Sequence, residues 1–433
     1  MTDRDRIIEL DRAHVWHPYT PMRQYIDGTD PLVVVGADGS RLFDADGRTF
    51  IDGNASWWTA LLGHRHPRLV AALVDQAQQL AHVPLAGIAH EQAALLAAEL
   101  SEVAPPGLER VFFSDDGSTA VEVAIKLTVQ YWAQNGRPRR TRFVALDSAF
   151  HGETLGATAL GGVDVFRRPF GSIVMECVHV PVPDETGFER AFAALARLIA
   201  EGEDTIAAVV LEPVVQGAGG MRIYDPRYLT SVRELTHRYD VPLVLDEVFT
   251  GYGRTGTMWA SEHAAIKPDV LCVAKGFSGG MLPMAATLVG ERLFTGFLGD
   301  SDRAFYYGHT FCGNPLGARV AREVLAVYRD EQVLAGIGPR AARIARAFDR
   351  LGELSGVVRA RSLGMVGALD LVGGGGYLER GGWQVYAEAL QRGAYLRPLG
   401  NTVYTVPALN IPESDLEELL DVLQASVRAV VTG

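Results

Sequence analysis

Five short apolar runs, separated by stretches with helical patterning, constrain this chain more than any other feature. They are RVFFSDDGS at 110–118, RFVALDS at 142–148, IAAVVLEPVV at 206–215, VPLVLDEVF at 241–249 and DVLCVAKG at 269–276. Each is rich in β-branched residues and apolar throughout, with no polar alternation. A strand solvated on one face alternates, whereas a strand covered on both faces does not. Helical segments between such strands carry the chain back over the sheet, so the pattern predicts an α/β domain with a mostly parallel sheet.

The flanking segments read differently. Asp-Gly pairs at 27–28, 38–39, 46–47 and 52–53 divide short apolar runs, which predicts a small antiparallel meander turned by Asp-Gly hairpins. From residue 66, RLVAALVDQAQQLAHV and HEQAALLAAELSEV repeat apolar residues at i, i+3 and i+4, the spacing of amphipathic helices. Past residue 315 two more helical segments lead into VVRARSLGMVGALDLVGGGG, whose run Gly373–Gly376 reads as a short loop. A last helix is expected around ESDLEELLDVLQASVRAV. The expected division is a large α/β domain over 66–315 and a small α+β domain built from both termini, 1–65 and 316–433.

Composition narrows the function. A net charge of −12 repels phosphate backbones and anionic lipid, which argues against nucleic-acid and membrane-surface partners. No run of about 18 apolar residues occurs and the first 20 residues lack a secretory apolar core, so a cytoplasmic protein is expected. Cys177, Cys272 and Cys312 lack metal-ligand spacing and read as three buried thiols in a reducing compartment; no metal site is expected. Glycine stands out, at 47 of 433 residues. Part of it belongs to turns. Another part sits at strand ends, where a side chain would keep the backbone away from a ligand.

Ligands of open α/β sheets bind at the carboxyl ends of the strands. There the runs end in Asp246-Glu247, Lys275-Gly276, Gly117-Ser118 and Phe150-His151-Gly152, and Glu212 follows another strand. Gly117-Ser118 precedes a helix with a Thr119-x-x-Glu122 capping-box pattern. Singly, each has an ordinary explanation as a cap, turn or surface residue. Together they supply what pyridoxal phosphate needs. A lysine can form a Schiff base, a carboxylate can hold a pyridinium nitrogen, a helix N-terminus can hold a phosphate and an aromatic ring can stack. A rival is Gly251-Tyr-Gly253-Arg-Thr-Gly256, which matches the G-x-G-x-x-G of nicotinamide-dependent oxidoreductases. The acidic pair before it opposes a pyrophosphate, and no clear amphipathic helix follows.

The run LVLDEVFTGYGRTGTMWASEH…KPDVLCVAKGFSGG closely resembles the signature of the class III (subgroup II) pyridoxal-phosphate aminotransferases of fold type I, and the resemblance extends along the whole chain. It implies Lys275 as the Schiff-base lysine, Asp246 as partner of the ring nitrogen, Gly117 and Ser118 as phosphate ligands and Phe150 as the stacking ring. His309 and Thr310 of GHTFCGNP are implied as phosphate contacts from the neighbouring subunit, hence a homodimer. Within the class, HVWHPYTPM, NASWWTALLGHRHP and YLRPLGNTVYTVPAL are similar to the branch that makes 7,8-diaminononanoate from 8-amino-7-oxononanoate in biotin biosynthesis. That likeness implies Tyr19, Trp57, Phe150, Gly308, Arg397 and Tyr404 as substrate contacts, beside Lys275. One of the adjacent Trp57–Trp58 pair is expected in the core, and Tyr19 and Tyr404 suit a subunit interface equally well. Phe150 stands where the branch usually has tyrosine, Leu85-Ala86-Gly87 where it has Phe-Gly-Gly. The implied amine donor is S-adenosylmethionine, with lysine or an ω-amino acid or diamine reaction as alternatives. Whether Glu212 touches the cofactor is open, and His151 is expected to be structural.

Overall fold

The runs that read as doubly covered strands form the centre of the computed structural model, which describes residues 3–183, 187–373 and 377–432. Strands β1 (Val34–Asp38), β2 (Arg41–Asp44) and β3 (Thr49–Asp52) precede the main sheet. The main sheet uses β4 (Leu108–Ser114), β5 (Arg142–Leu146), β6 (Cys177–Val180), β7 (Ile206–Leu211), and, past a ribbon of β8 (Val215–Gln216) and β9 (Arg222–Ile223), β10 (Leu243–Asp246), β11 (Val270–Val273) and β12 (Ala285–Gly290). Its order is β4-β12-β11-β10-β7-β5-β6. β10 pairs in parallel with β7 and β11, and β5 with β6 and β7, while β12 runs antiparallel to both β11 and β4. Every residue of β7, β10 and β11 is buried, as their unbroken apolar sequence requires. Two of the seven strands, β6 and β12, were not anticipated. CVHV mixes polar and apolar residues, and AATLVG is interrupted by threonine and has a single β-branched apolar residue.

Beyond the main sheet, β13 (Val357–Leu363), β14 (Val366–Leu371) and β16 (Thr402–Thr405) form an antiparallel sheet. The two-residue strand β15 (Ala394–Tyr395) lies parallel to β3, pairing Ala394 with Ile51. The N-terminal meander is therefore completed by a strand from more than 300 residues further on. Gly53 anchors the same junction: its carbonyl accepts the N–H of Val406 at 2.8 Å and the hydroxyl of Thr405 at 2.7 Å. The helices Pro67–Gln79 and Glu91–Val103 form as their periodicity predicts, and the helix Glu413–Thr432 closes the chain.

Several local expectations are corrected. Asp38-Gly39 and Asp46-Gly47 do turn hairpins, but Asp27-Gly28 ends the helix Met22–Gly28 and Asp52-Gly53 leaves β3 without a hairpin. The helix expected near Thr119 starts earlier, at Gly117. Asp116 is its N-cap, accepting the Thr119 N–H at 2.9 Å, and Glu122 instead accepts the N–H groups of Gly156 and Ala157. Cys177 and Cys272 are buried, but Cys312 is only half-buried. The run Gly373–Gly376 falls largely outside the described residues. No helix among the described residues is long and apolar enough to cross a membrane.

Candidate active site

The carboxyl ends of the parallel strands open into a cavity of about 750 Å³. Lys275, Asp246, Gly117, Ser118 and Phe150 all line it, and so do His151 and Glu212. The sheet explains the convergence. Asp246 is the last residue of β10, Glu212 follows β7 directly, Lys275 lies two residues past β11, and the adjacent parallel register aligns those ends.

Lys275 occupies the left-handed backbone region at φ +53°, unusual for a residue with a side chain. Its ammonium nitrogen lies 4.7 Å from the centroid of the Trp58 ring and, among the described residues, makes no hydrogen bond or ion pair. Burial pushes its pKa down to about 8, against the pull of Asp246 and Glu212. Asp246 Oδ2 takes a hydrogen bond from His151 Nδ1 at 2.8 Å, and Oδ1 accepts the Val248 N–H at 3.0 Å. Burial alone would depress His151, but the Asp246 bond and charge, with Glu212 nearby, raise it overall. His151 therefore does more than fill the core: it is bonded to Asp246 and orients it. Glu212 accepts the N–H groups of Phe150 at 3.0 Å and Gly217 at 2.8 Å, and burial pushes it up to about 7. Its place is behind the loop that carries Phe150.

At the other end of the cavity the helix Gly117–Gln134 begins. Its first N–H groups, those of Gly117 and Ser118, have no acceptor within the helix. The Ser118 hydroxyl oxygen accepts the N–H of Glu153 at 2.6 Å and of Thr154 at 3.2 Å. Close packing, rather than ligand approach, requires the glycines here. A Cβ on Gly152 would lie 1.9 Å from Ser118 Oγ, and one on Gly117 would lie 2.7 Å from Val248. The expectation that strand-end glycines admit a ligand is thus refined, since they let the site's own loops meet. The Gly251–Gly256 segment is a buried turn followed by a short 3₁₀ turn at Ala260–Ala264, so no helix N-terminus faces a pyrophosphate there. This corrects the nicotinamide alternative.

The implied substrate contacts are placed less uniformly. Trp58, not Trp57, lines the cavity; it is 4 % exposed and donates its indole N–H to the Tyr404 hydroxyl at 3.1 Å. Tyr404 is buried behind it. Trp57 lies outside, edge-on to Tyr19 at 5.4 Å, with the Arg397 guanidinium 4.7 Å from its ring centroid and 5.6 Å from that of Trp383. Arg397 Nη1 is buried with no hydrogen-bond partner. Tyr19 donates its hydroxyl to Glu153 at 2.7 Å, which joins this cluster to the cavity. Gly308, His309 and Thr310 do not line the cavity of their own chain. His309 Nδ1 lies 3.5 Å from Asp115 and Thr310 is exposed. Trp58, Glu153, Thr154 and Val248 also line the cavity, and the sequence pattern does not single them out. The run His151-Gly152-Glu153-Thr154 beside the stacking ring was the only signal for two of them.

The residues leading into this cavity hold a second unusual backbone feature. Ala55, Ser56, Trp57 and Trp58 all have positive φ, at 44°, 44°, 62° and 77°. Each such L-residue costs roughly 1–2 kcal/mol relative to a right-handed turn, so other contacts must hold the conformation.

A cationic ring nitrogen, an aldehyde and a phosphate joined on one flat ring match this donor set of carboxylate, unpaired amine, helix N-terminus and aromatic face. The residues present fit pyridoxal phosphate. The family model for aminotransferase class III matches residues 25–427, and the chain belongs to that family, with the fold type I architecture. Among its relatives is the adenosylmethionine-8-amino-7-oxononanoate aminotransferase of Nitratidesulfovibrio vulgaris, 40% identical over 98% of this chain and 82% of the relative. The crystal structure of the enzyme of that name from Methanocaldococcus jannaschii is similar at a TM-score of 0.95 and 32% identity, covering 99% of each chain. An amine transaminase from an uncultivated Pseudomonas species, solved with pyridoxal phosphate bound, gives 0.89 at 30% identity over 96% of this chain and 98% of the other.

Proposed function

We propose that this enzyme transfers an amino group to 8-amino-7-oxononanoate, forming 7,8-diaminononanoate for biotin biosynthesis, with S-adenosylmethionine as the donor. The observation that carries the reading is the unpaired Lys275, in a cavity it shares with Asp246 and a helix N-terminus and linked through Glu153, Tyr19 and Trp57 to Arg397, whose Nη1 has no hydrogen-bond partner. Pyridoxal phosphate, when bound, withdraws electrons from the carbon that carries the amino group. Gly117 and Ser118 would hold the phosphate with free N–H groups, Phe150 would cover the ring, and Asp246, bonded to His151, would keep the ring nitrogen protonated. Lys275 Nζ would hold the cofactor, and its free amine would serve as the base for the proton on the donor's α-carbon. A pKa near 8 leaves a useful fraction of that amine neutral at cellular pH. Arg397, stacked on Trp57 and Trp383, offers a two-pronged fork to the terminal carboxylate of the acceptor.

A homodimer belongs to this reading, because Thr310 and the exposed rings of Tyr306 and Phe311 lie outside their own cavity and suit a neighbour's. A cytoplasmic location also belongs to it, supported by three unpaired thiols. The decisive experiment mixes the loaded enzyme with S-adenosylmethionine or with lysine and follows bleaching of the cofactor's visible band. Bleaching by S-adenosylmethionine, then recovery on adding 8-amino-7-oxononanoate, is expected. Bleaching by lysine alone reverses the donor assignment, and no recovery with 8-amino-7-oxononanoate removes the acceptor.

A further inference from the structure

We propose that Asp52, acting with His64 through Ser56, is a positioning residue for this transamination: its carboxylate locks the left-handed turn Ala55–Trp58, and the turn sets Trp58 beside Lys275 and Trp57 against Arg397. The inference rests on the function proposed above. Four successive residues with side chains do not stay in the left-handed region by their own preference, and none of the four is a glycine, for which that region is free of strain. Something on either side must over-determine them.

Asp52 is the last residue of β3 and 3 % exposed. Its Oδ2 accepts the Ser56 hydroxyl at 2.7 Å and His64 Nε2 at 2.8 Å, and its Oδ1 accepts the Asn54 N–H at 3.2 Å. Both oxygens are thus engaged by the residues that enter and occupy the turn. His64 is held in turn by its backbone, which exchanges hydrogen bonds with Gly39 at 2.7 and 3.0 Å. The lock is therefore anchored to the β1–β2 hairpin, remote from the cavity.

The output side of the turn is equally specific. Asn54 accepts the Arg397 backbone N–H on its side-chain oxygen at 2.6 Å and the Trp58 N–H on its carbonyl at 2.9 Å. The Thr59 hydroxyl donates to the Ser56 carbonyl at 3.0 Å. Trp58 then reaches the Lys275 ammonium at 4.7 Å, and Trp57 reaches the Arg397 guanidinium at the same distance. A turn relaxed into the right-handed region moves both indoles off these two cations together. None of Asp52, Ser56 or His64 lines the cavity, so they act through the tryptophans and not on the reactants.

The test compares the wild type with Asp52→Asn, Ser56→Ala and Ser56→Gly, all as the loaded enzyme. It reads kcat and KM for both substrates, and near-ultraviolet circular dichroism before and after loading. Asparagine keeps the shape but has one acceptor oxygen for three donors, so kcat should fall about 10- to 100-fold, with a changed indole signal and an unchanged far-ultraviolet spectrum. Ser56→Ala and Ser56→Gly both delete the hydroxyl, yet only glycine accepts positive φ without steric cost, so the glycine variant should retain at least about fivefold more kcat than the alanine variant. In an ordinary right-handed helix the order is the reverse. Alanine equal to or better than glycine overturns the proposal, as does Asp52→Asn with an unchanged indole signal and kcat within about twofold of wild type. Should Asp52→Asn not fold, the alanine–glycine comparison decides alone. A wild type that turns over other amines and ketones but not 8-amino-7-oxononanoate overturns the substrate reading and leaves this comparison standing.

Discussion

Replacing Lys275 should make the cofactor-free protein more stable. Burial lowers the Lys275 pKa from the ordinary value of 10.5 to about 8, so the folded state holds that proton less tightly than the unfolded chain. The difference, near 2.5 units at 1.36 kcal/mol each, corresponds to a cost of about 3 kcal/mol while the amine is charged. The sign follows from proton counts. Between about pH 8 and 10 the unfolded state binds more protons, so this contribution improves stability as pH rises, and below pH 8 the full cost applies. Lys275→Met keeps the volume and the left-handed backbone but removes the charge. Urea unfolding of both cofactor-free proteins at pH 6.5 should place Lys275→Met about 3 kcal/mol above wild type, and at pH 10 the gap should shrink by about 2 kcal/mol. All other titrating groups are common to both proteins and cancel. A methionine variant no more stable at pH 6.5, or a gap that ignores pH, refutes the buried-amine account of this site.

Other expectations are more direct. Arg397→Ala should raise KM for 8-amino-7-oxononanoate about 10- to 100-fold with a smaller change in kcat, the worth of a charge-assisted fork, and an unmoved KM in steady-state assays would remove Arg397 from acid recognition. His151→Ala deletes the 2.8 Å bond to Asp246 and should lower kcat about 10- to 100-fold while donor KM stays nearly constant; equal losses in both would place His151 in binding. Gly152→Ala puts a Cβ where Ser118 Oγ lies and demands φ +126° of alanine, so cofactor retention on dialysis should weaken about tenfold or more, and undiminished retention would detach Ser118 from the phosphate.

Much of the site is legible in the sequence. Lys275, Asp246, Gly117, Ser118 and Phe150 each follow an apolar run, and a parallel sheet must bring such positions to one edge. Trp57 and Trp58 could not be told apart in this way. They are adjacent and identical in type, and only the left-handed turn decides that Trp58 enters the cavity while Trp57 meets Arg397. Tyr404 likewise read as a substrate contact, and it sits behind Trp58 with its hydroxyl engaged. The capping residue shifted from Thr119 to Asp116 because helix starts depend on backbone angles that a four-residue pattern does not specify.

The sequence by itself determined the α/β class, the strands of the central sheet apart from β6 and β12, and the strand-end positions of Lys275 and Asp246. These are consequences of local patterning, since doubly buried strands must be apolar and strand ends must carry the polar groups. Tertiary structure alone decided that β12 runs antiparallel, that Ala394–Tyr395 completes the N-terminal meander, and that His151 backs Asp246. It also decided that Asp52 and His64 hold a strained turn against the cavity. Those outcomes depend on contacts between residues far apart in the chain, where the energy of a strand edge or a buried carboxylate is settled by whatever element arrives to meet it.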